Sequence, residues 1–416
     1  MAEKLIKSEF NMDLASTNES TFVKDQADIR HLTLGEIRRN VDPECFKKDT
    51  FTSIRYLIQD WLLVLFLYIL IPHIEDRLGY FGLFLWYWVI GIQFNAIFLI
   101  GHDCGHGTFS NYTWINDLCG HLSHAPLLTP YWPFQKSHRL HHIHTNHIEK
   151  DKGHPWPVKE KFEKVHVGWK FYLKFPLTGW FRYLPMYTIV GIPDGSHYWP
   201  GSKLFSNRTE RIQCAFSSSL CIFFGVIAYI LSDYSFLTLY KYYIIPLHFQ
   251  GLFFTSITYL QHRNEKTEVY EQGEWKFVQA QTQTIDRKLG FGLDTIMHHI
   301  GDGHVAHHFF FTEIPHYKLR AATEALSFAA RKPAKCPHNS EFGLTGEYTC
   351  KLETVNSTTA TPQCWCQKRG GFARGTNGNC VKWEDCPESQ QMCADFEFYS
   401  MMGPIEKTCG NRRASS

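Results

Sequence analysis

Four long apolar stretches interrupt an otherwise polar chain, and they give the first prediction about its structure. They cover about residues 54–71, 79–100, 212–231 and 237–260. A helix needs about 20 apolar residues to cross the hydrocarbon core of a bilayer, and the last three stretches reach that length. The first stretch is slightly shorter and carries Asp60. The pattern therefore predicts an all-α integral membrane protein with four transmembrane helices.

The distribution of Lys and Arg predicts the orientation of these helices. Residues 1–55, 101–211 and 261–335 carry 9, 13 and 10 basic residues, whereas the connections 72–78 and 232–241 carry one each. Cytoplasmic loops are enriched in Lys and Arg, so the three long segments and both termini are predicted to be cytosolic. The whole-chain averages, a net charge of +2 and a mean hydropathy of -0.26, hide this asymmetry. A charge so close to neutral gives no basic field for nucleic acid.

Two further stretches are predicted to lie at the membrane surface without crossing it. Residues 116–134 are apolar but contain three Pro and two His, which favours a re-entrant or interfacial segment. Residues 169–192 are rich in Trp and Tyr, which is typical of interfacial helices with aromatic rings at headgroup depth.

Three histidine clusters carry the main signal for chemistry. The first cluster is His102 and His106, the second is His138, His141 and His142, and the third is His304, His307 and His308. Spacings of three and four place the imidazoles of a cluster on one helix face. Two predicted spans separate the second cluster from the third, so all three clusters lie on the cytosolic side. Eight imidazoles exceed what one tetrahedral ion accepts, and they predict a dimetal site in a cytosolic helical cap.

Four further residues are candidates beside this site. His262 ends the fourth predicted span, where its ring can reach the same site as a ligand. His298 precedes the third cluster and is a candidate ligand or orienting residue. Asp103 and Asp302 adjoin clusters and are candidates to orient a ligand, because a metal-bound imidazole usually donates its other N–H to a carboxylate or carbonyl; helix capping is the alternative for both. Structural or orienting roles are assigned to the remaining neighbours, His144, His147, His154 and His299.

Missing motifs narrow the chemistry. The chain contains no HExxH, GxSxG, GxxxxGK[ST] or GxGxxG sequence, which argues against zinc hydrolases, serine hydrolases, P-loop enzymes and dinucleotide-binding folds. A redox-active metal pair at the cytosolic membrane surface suits O2 activation on a lipid chain. Histidine spacing does not distinguish iron from the other metals that imidazole binds.

From about residue 43 to 331 the chain resembles the membrane fatty acid desaturases. The resemblance rests on the sequences HDCGH, HRLHH and HVAHH around the three clusters, and on flanking text such as TNHIEKDKGHPW, QTQTIDR and FFFTEIPHY. It is greatest for the nematode delta-12 (oleoyl) group. It implies an enzyme that introduces a cis double bond at delta-12 of an oleoyl chain, with two iron ions on the histidines and O2 as co-substrate, and no catalytic residue separate from the metal ligands.

The resemblance also implies partners and a location. Electrons would come from cytochrome b5 and its NADH reductase, the substrate would be an acyl lipid or acyl-CoA, and the site would be the endoplasmic reticulum membrane. The HPGG haem motif of fused relatives does not occur, so no fused haem domain is expected. The alternatives within the same fold are an omega-3 desaturase and an acyl hydroxylase, epoxygenase or acetylenase.

The C-terminal part departs from the desaturase pattern and resembles the trypsin-inhibitor-like (TIL) cysteine-rich domain of secreted inhibitors. The predicted organisation is a polar cytosolic segment (1–50), a desaturase domain (51–332) and a cysteine-rich module (333–416). The resemblance offers six disulfide candidates, Cys336, Cys350, Cys364, Cys366, Cys380 and Cys386. Their pairing does not follow from spacing.

The predicted location conflicts with this second resemblance. No apolar span separates the third histidine cluster from the cysteines, and disulfides do not persist in the cytosol. Four explanations are open: a gene model that fuses two neighbouring genes, a genuine fusion with a poorly folded tail, an additional membrane crossing, or zinc binding. A protease-inhibitor module beside a vestigial desaturase is the alternative function of a different class.

Overall fold

The computed structural model describes most of the N-terminal three quarters of the chain and three short segments beyond. The described residues are 30, 32–155, 163, 182–191, 194–329, 349–353, 363–368 and 371–373. The chain forms two compact units, Met1–Ala329 and Ala330–Ser416. The described part of the first unit is mostly helical, which agrees with the predicted class.

The first unit contains twelve described α-helices and four described 3-10 or π-helical segments. In chain order they are α1 (Leu34–Arg38), a 3-10 turn (Pro43–Phe46), α2 (Thr50–Ile69), α3 (Ile71–His106), α4 (Thr113–His124), a 3-10 turn (Ala125–Leu127), α5 (Tyr131–His144), a π-helical segment (Arg182–Val190), α6 (Arg208–Leu231), α7 (Phe236–Leu239), a π-helical segment (Tyr240–Ile244), α8 (Ile245–His262), α9 (Phe277–Gln281), α10 (Leu293–Ile296), α11 (His304–Phe309) and α12 (His316–Ala329).

Among the described helices, α2, α3 and α6 are long and apolar enough to cross a membrane. The apolar window of α3 is 72% buried, whereas those of α2 and α6 are each 22% buried. The central helix is therefore α3. The other two expose large apolar side chains such as Leu62, Phe66 and Phe223, as helices facing lipid would.

The fourth predicted span forms three consecutive helical pieces, namely α7, the π-helical segment and α8. Pro246 lies in the first turn of α8, a position where proline is well tolerated. The piece α8 packs closely on α3, because Gly91 has no side chain: a Cβ there would lie 2.5 Å from Cβ of Phe249. The count of four spans stays a prediction.

The length of α3 explains where the first histidine cluster lies. The piece that follows its interruption at Gly79 runs from residue 80 to His106, which corresponds to about 40 Å, beyond the roughly 30 Å hydrocarbon core. The helix is interrupted at Gly79, whose φ of 57° and ψ of -143° are not helical, and it ends at Gly107 in the left-handed conformation. His102 and His106 occupy its last two turns, past the apolar run.

Asp60 is accommodated by pairing within the protein rather than by exposure to lipid. Its side chain is buried; Oδ1 accepts a hydrogen bond from Nε2 of Gln93 on α3 at 3.0 Å, and Oδ2 lies 2.8 Å from Nε2 of His298. Ionisable residues in membrane helices usually face the interior and pair there. The charged residue within the first apolar stretch thus makes an internal contact between α2, α3 and the segment before α11.

The stretch 116–134 folds into helices too short to span a bilayer, and its interfacial or re-entrant location stays a prediction. The 12-residue α4 leads into a 3-10 turn and then α5, and Leu128 in the turn has a φ of 52°. His124 is fully buried, with Nε2 2.9 Å from the carbonyl oxygen of Phe98. The predicted pair of interfacial helices at 169–192 lies mostly outside the described residues. The described part, Arg182–Val190, is π-helical.

The second unit contains a small antiparallel sheet with strand order β1-β2-β3. Its strands are β1 (Thr349–Glu353), β2 (Gln363–Lys368) and β3 (Gly371–Ala373). The register places Cys350 opposite Cys366. Three other disulfide candidates, Cys336, Cys380 and Cys386, lie outside the described residues, so the pairing stays a prediction.

Candidate metal centre

Three helices deliver the three histidine clusters to one place. The first cluster lies at the end of α3, the second lies on α5, and the third forms most of α11. A fourth helix, α8, ends at His262 and brings a further imidazole to the same place. All of the predicted ligands except His138 are buried, and His138 is partly exposed.

Five histidines form the first metal group. Their ligand nitrogens lie within 4.8 Å of one another: His102, His106, His138, His142 and His307. Nε2 of His138 lies 2.8 Å from that of His102 and 3.0 Å from that of His142. Nε2 of His307 lies 3.1 Å from that of His142. Neighbouring ligands about 2.1 Å from one ion would lie about 3 Å apart, so these nitrogens fit a shared ion.

A second metal group lies around His262. One set is His262, His304 and His308, another is His141, His154 and His262, and within each set the ligand nitrogens lie within 4.8 Å of one another. Nε2 of His304 lies 3.0 Å from Nε2 of His262. The structure thus brings all nine histidines predicted as ligands into two groups, and it adds His154, which the sequence assigned to a structural or orienting role.

The donor set fits metal binding. Several buried ring nitrogens have no hydrogen-bond partner, namely Nδ1 of His142, His262 and His304 and Nε2 of His141 and His308. Such atoms cost about 1–3 kcal/mol each when left unsatisfied, and a metal ion would satisfy some of them directly. Burial, reinforced by neighbouring imidazoles, holds the pKa of His142 and His308 well below its usual range. Both rings are therefore neutral, which is the ligating form.

Asp151 orients one ligand of the second metal group. Its Oδ1 lies 2.8 Å from Nδ1 of His141 and its Oδ2 accepts a hydrogen bond from the backbone N–H of Asn146 at 2.9 Å. This contact leaves Nε2 of His141 free to face the metal position. Burial acts to raise the pKa of Asp151, but the electrostatic interaction and hydrogen bond with His141, together with the contacts to His154, outweigh it and lower the pKa.

Two residues of the segment before α11 contact the clusters, and one of them, Gln281, connects the second to the third. Oε1 of Gln281 lies 2.8 Å from Nδ1 of His308, while its Nε2 donates to the carbonyl of His142 at 2.9 Å. Asp286 accepts a hydrogen bond from the N–H of Val305 at 2.8 Å. Burial raises the pKa of Asp286 to about 8, although backbone hydrogen bonds oppose the shift. Both residues belong to the sequence QTQTIDR. The spacing of the histidines gave no indication of the role of this segment.

The other predicted neighbours occupy different places. Oδ2 of Asp103 accepts a hydrogen bond from the backbone N–H of His316 at 2.9 Å, and it lies 2.9 Å from Nδ1 of the same histidine. Oδ1 of Asp103 lies 3.8 Å from Nδ1 of His102. His298 lies outside both metal groups and contacts Asp60. Asp302 lies 3.0 Å from Nδ1 of His299, which is not a predicted ligand.

A membrane-type helical fold with two groups of buried histidines at the end of its central helix defines a class of histidine-rich membrane metalloproteins. Within that class, the family model described as "Fatty acid desaturase" matches residues 78–339. The chain belongs to the fatty acid desaturase family. It is therefore an enzyme, an oxidoreductase that desaturates fatty acyl chains.

Curated relatives agree with this assignment. The chain is 56% identical over 315 residues to the delta(12) fatty acid desaturase fat-2 of Caenorhabditis elegans, an alignment that covers 76% of this chain and 83% of the relative. It is 45% identical over 313 residues to the omega-3 fatty acid desaturase fat-1 of the same organism, covering 75% and 76%. It is 35% identical over 299 residues to an sn-1 acyl-lipid omega-3 desaturase (ferredoxin) of Synechocystis sp., covering 71% and 80%.

Proposed function

We propose that the chain introduces a cis double bond at delta-12 of an oleoyl chain, carried on an acyl lipid or acyl-CoA, and so forms a linoleoyl chain. The higher identity to the delta(12) desaturase, 56% against 45% for the omega-3 desaturase of the same organism, supports delta-12 over omega-3. An acyl hydroxylase or epoxygenase of the same fold would give a different product from the same site, and product analysis separates them.

The metal in this proposal is a pair of iron ions. His102, His106, His138, His142 and His307 would hold one, and His141, His262, His304 and His308 would hold the other. When bound, the pair supplies the O2 chemistry that an unactivated acyl chain requires. The overall reaction removes two hydrogens from the chain and, with O2, two electrons and two protons, yields two waters. The observation that carries the proposal is the convergence of these nine rings, with Nε2 separations of 2.8–3.2 Å along the first group.

The protein's own contribution is to orient the ligands and exclude water. Asp151 and Gln281 each contact Nδ1 of a ligand imidazole, so that Nε2 of His141 and His308 is directed to the metal position. The rings of His142 and His308 are 0% exposed. A dry site strengthens electrostatic interactions and limits side reactions of reactive species.

The finer topology and partners belong to the same proposal. Four membrane spans would place the metal centre, a cytosolic helical cap and both termini on the cytosolic side of the endoplasmic reticulum membrane. The concentration of Lys and Arg in the long segments supports this orientation. Cytochrome b5 and its NADH reductase would supply electrons as separate proteins. Five described cysteines of the first unit are buried and free, Cys45, Cys104, Cys119, Cys214 and Cys221, as expected in a reducing compartment.

The proposed organisation comprises the segment 1–50, a desaturase domain at 51–332 and a cysteine-rich module at 333–416. The small antiparallel sheet and the TIL-like cysteine text support a separate module. We interpret it as the product of a second gene joined in the gene model. Transcript sequencing across the codon for residue 332 tests this origin: reads that cross the junction would contradict it.

Expression of the full chain in yeast tests the proposed reaction. Wild-type protein should add linoleate to yeast lipids, with the new double bond located by mass spectrometry. His307→Ala should abolish the product at an unchanged protein level, because it removes a ligand of the first metal group. His144→Ala on α5 is the matched control, because His144 lies outside both metal groups, and it should retain activity.

The product decides among the alternatives. A double bond at the omega-3 position would contradict delta-12, and a hydroxylated or epoxidised acyl chain would contradict desaturation as the main outcome. Equal activity of the wild type and His307→Ala would contradict the assignment of the histidine groups.

A further inference from the structure

The two metal groups differ in the number of ligands supplied by the histidine clusters and His262. The first group is one set of five histidines, whereas the second consists of two sets of three that share His262: His262, His304 and His308, and His141, His154 and His262. His154 belongs to the second of these sets. Its ring centroid is 4.1 Å from that of His262 and 5.0 Å from that of His141, and its ligand nitrogen lies within 4.8 Å of theirs.

The backbone around His154 is fixed by residues adjacent to two ligands. Oδ1 of Asp151, which contacts Nδ1 of His141, also accepts the backbone N–H of His154 at 3.0 Å. From the other side, Nη2 of Arg263, next to His262, donates to the carbonyl oxygen of His154 at 3.2 Å. The same atom donates to the carbonyl oxygen of Pro155 at 2.6 Å.

The residue before His154 allows a close approach to the second metal group. A Cβ at Gly153 would lie 2.9 Å from both Cβ and Cγ of His141, so a larger residue would push the loop away from that ligand. Gly153, Asp151 and Arg263 therefore all act to hold His154 against the group. This convergence exceeds what a loop histidine with only a surface role requires.

We propose that His154 is a fifth protein ligand of the metal ion in the second metal group. The inference rests on the dimetal site proposed above and adds this chain's own residue to it. Each ion then has five imidazole ligands, and the two positions become equivalent in ligand number and type. Within the set of His141, His154 and His262 the ligand nitrogens lie within 4.8 Å of one another, slightly more than the roughly 4.2 Å between opposite ligands of one ion. The ring of His154 therefore has to move toward the ion that His262 shares with His304 and His308.

Stacking is the competing role for His154. Its ring lies nearly parallel to that of His262, with an interplanar angle of 21°, and could position that ligand through packing alone. His154→Phe separates the two roles, because phenylalanine keeps a flat ring against His262 but supplies no donor atom. His154→Gln does the reverse, since it removes the ring and offers an amide oxygen.

The experiment measures iron in the full-length chain, purified in detergent after growth with ⁵⁷Fe. Iron per chain, the rate of iron loss to a chelator and the Mössbauer spectrum are recorded for each variant. His154→Phe should lose one of the two irons at least tenfold faster than the wild type, as expected when a ligand or its close support is removed. The signal of the other iron should remain unchanged. His154→Gln should retain more of that iron, with a shifted spectrum. His144→Phe is the aromatic control and should match the wild type.

The outcomes separate this inference from the proposal beneath it. Wild-type iron loss and spectra in His154→Phe would overturn the ligand role and leave the dimetal site intact. A wild-type protein that binds no iron would refute the dimetal proposal itself. If His154→Phe does not yield monodisperse protein, His154→Gln decides, because an unchanged Mössbauer spectrum in that variant would overturn the ligand role.

Discussion

Replacing Asp60 with alanine should strongly destabilise the first unit, although the residue lies in a membrane-type helix far from the metal groups in sequence. The wild-type carboxyl group is 3% exposed, and it contacts Nε2 of Gln93 and Nε2 of His298. These partners are themselves 5% and 4% exposed. Removal of the carboxyl group leaves both without their partner in a site where water cannot replace it.

The magnitude follows from these two contacts. A buried polar group that loses its partner costs about 1–3 kcal/mol, so the loss of two contacts costs about 2–6 kcal/mol. For a unit as long as Met1–Ala329, 1 kcal/mol corresponds to a change of about 1.5 °C in the unfolding midpoint. A decrease of about 3–9 °C is therefore expected for Asp60→Ala. Asp60→Asn keeps one oxygen acceptor and should have a smaller effect.

Intrinsic tryptophan fluorescence during heating of the detergent-solubilised full chain measures this effect. Leu62→Ala on the same helix is the control, because that side chain is 59% exposed and its truncation should shift the midpoint by no more than about 2 °C. A midpoint for Asp60→Ala within about 2 °C of the wild type would refute the reasoning. It would mean that the contacts with Gln93 and His298 do not contribute to stability.

Two further substitutions test packing and protonation. Gly101→Ala should lower the free energy of unfolding by about 1–3 kcal/mol through overpacking, because the new Cβ would lie 2.3 Å from Cδ2 of His124. Gly105→Ala is the control: its Cβ would meet nothing nearer than 3.8 Å, so the unfolding midpoint should stay unchanged. In chelator-treated protein, Asp286 contributes stability that is fully present below about pH 4 and is lost as pH rises through its folded pKa of about 8. Between pH 5 and 9, the unfolding midpoint of Asp286→Asn should therefore decrease less than that of the wild type. An unchanged dependence of the midpoint on pH would contradict this contribution of Asp286.

Local periodicity explains why the apolar helices and the ligand clusters could be predicted from the sequence. The spacing of His138, His141 and His142 acts within one helix, α5, so it needs no knowledge of tertiary structure. The four apolar stretches were recognisable for the same reason, and three of them form helices of membrane-spanning length and composition. His262 was recognisable from its position at the end of such a stretch.

The remaining parts of the site depend on contacts between segments distant in sequence. Gln281 contacts His308 across 27 residues, and His298 contacts Asp60 across 238 residues. No spacing rule relates such residues, because their approach is set by how the helices pack. The proximity of His154 to His141 and His262 could not be predicted for a similar reason: His154 lies in a loop after α5, where neither a helical period nor a cluster marks it.

The arrangement of contacts indicates why the site can be both buried and rigid within the membrane-type fold. Buried imidazoles are costly unless both nitrogens have partners, and several here use one nitrogen for a protein acceptor and direct the other inward. Asp151 holds His141 from the loop after α5, while Gln281 holds His308 and simultaneously binds the backbone of α5 at His142. The second and third clusters therefore constrain each other without a metal ion. The free energy of folding of the first unit offsets most of the cost of arranging the metal ligands.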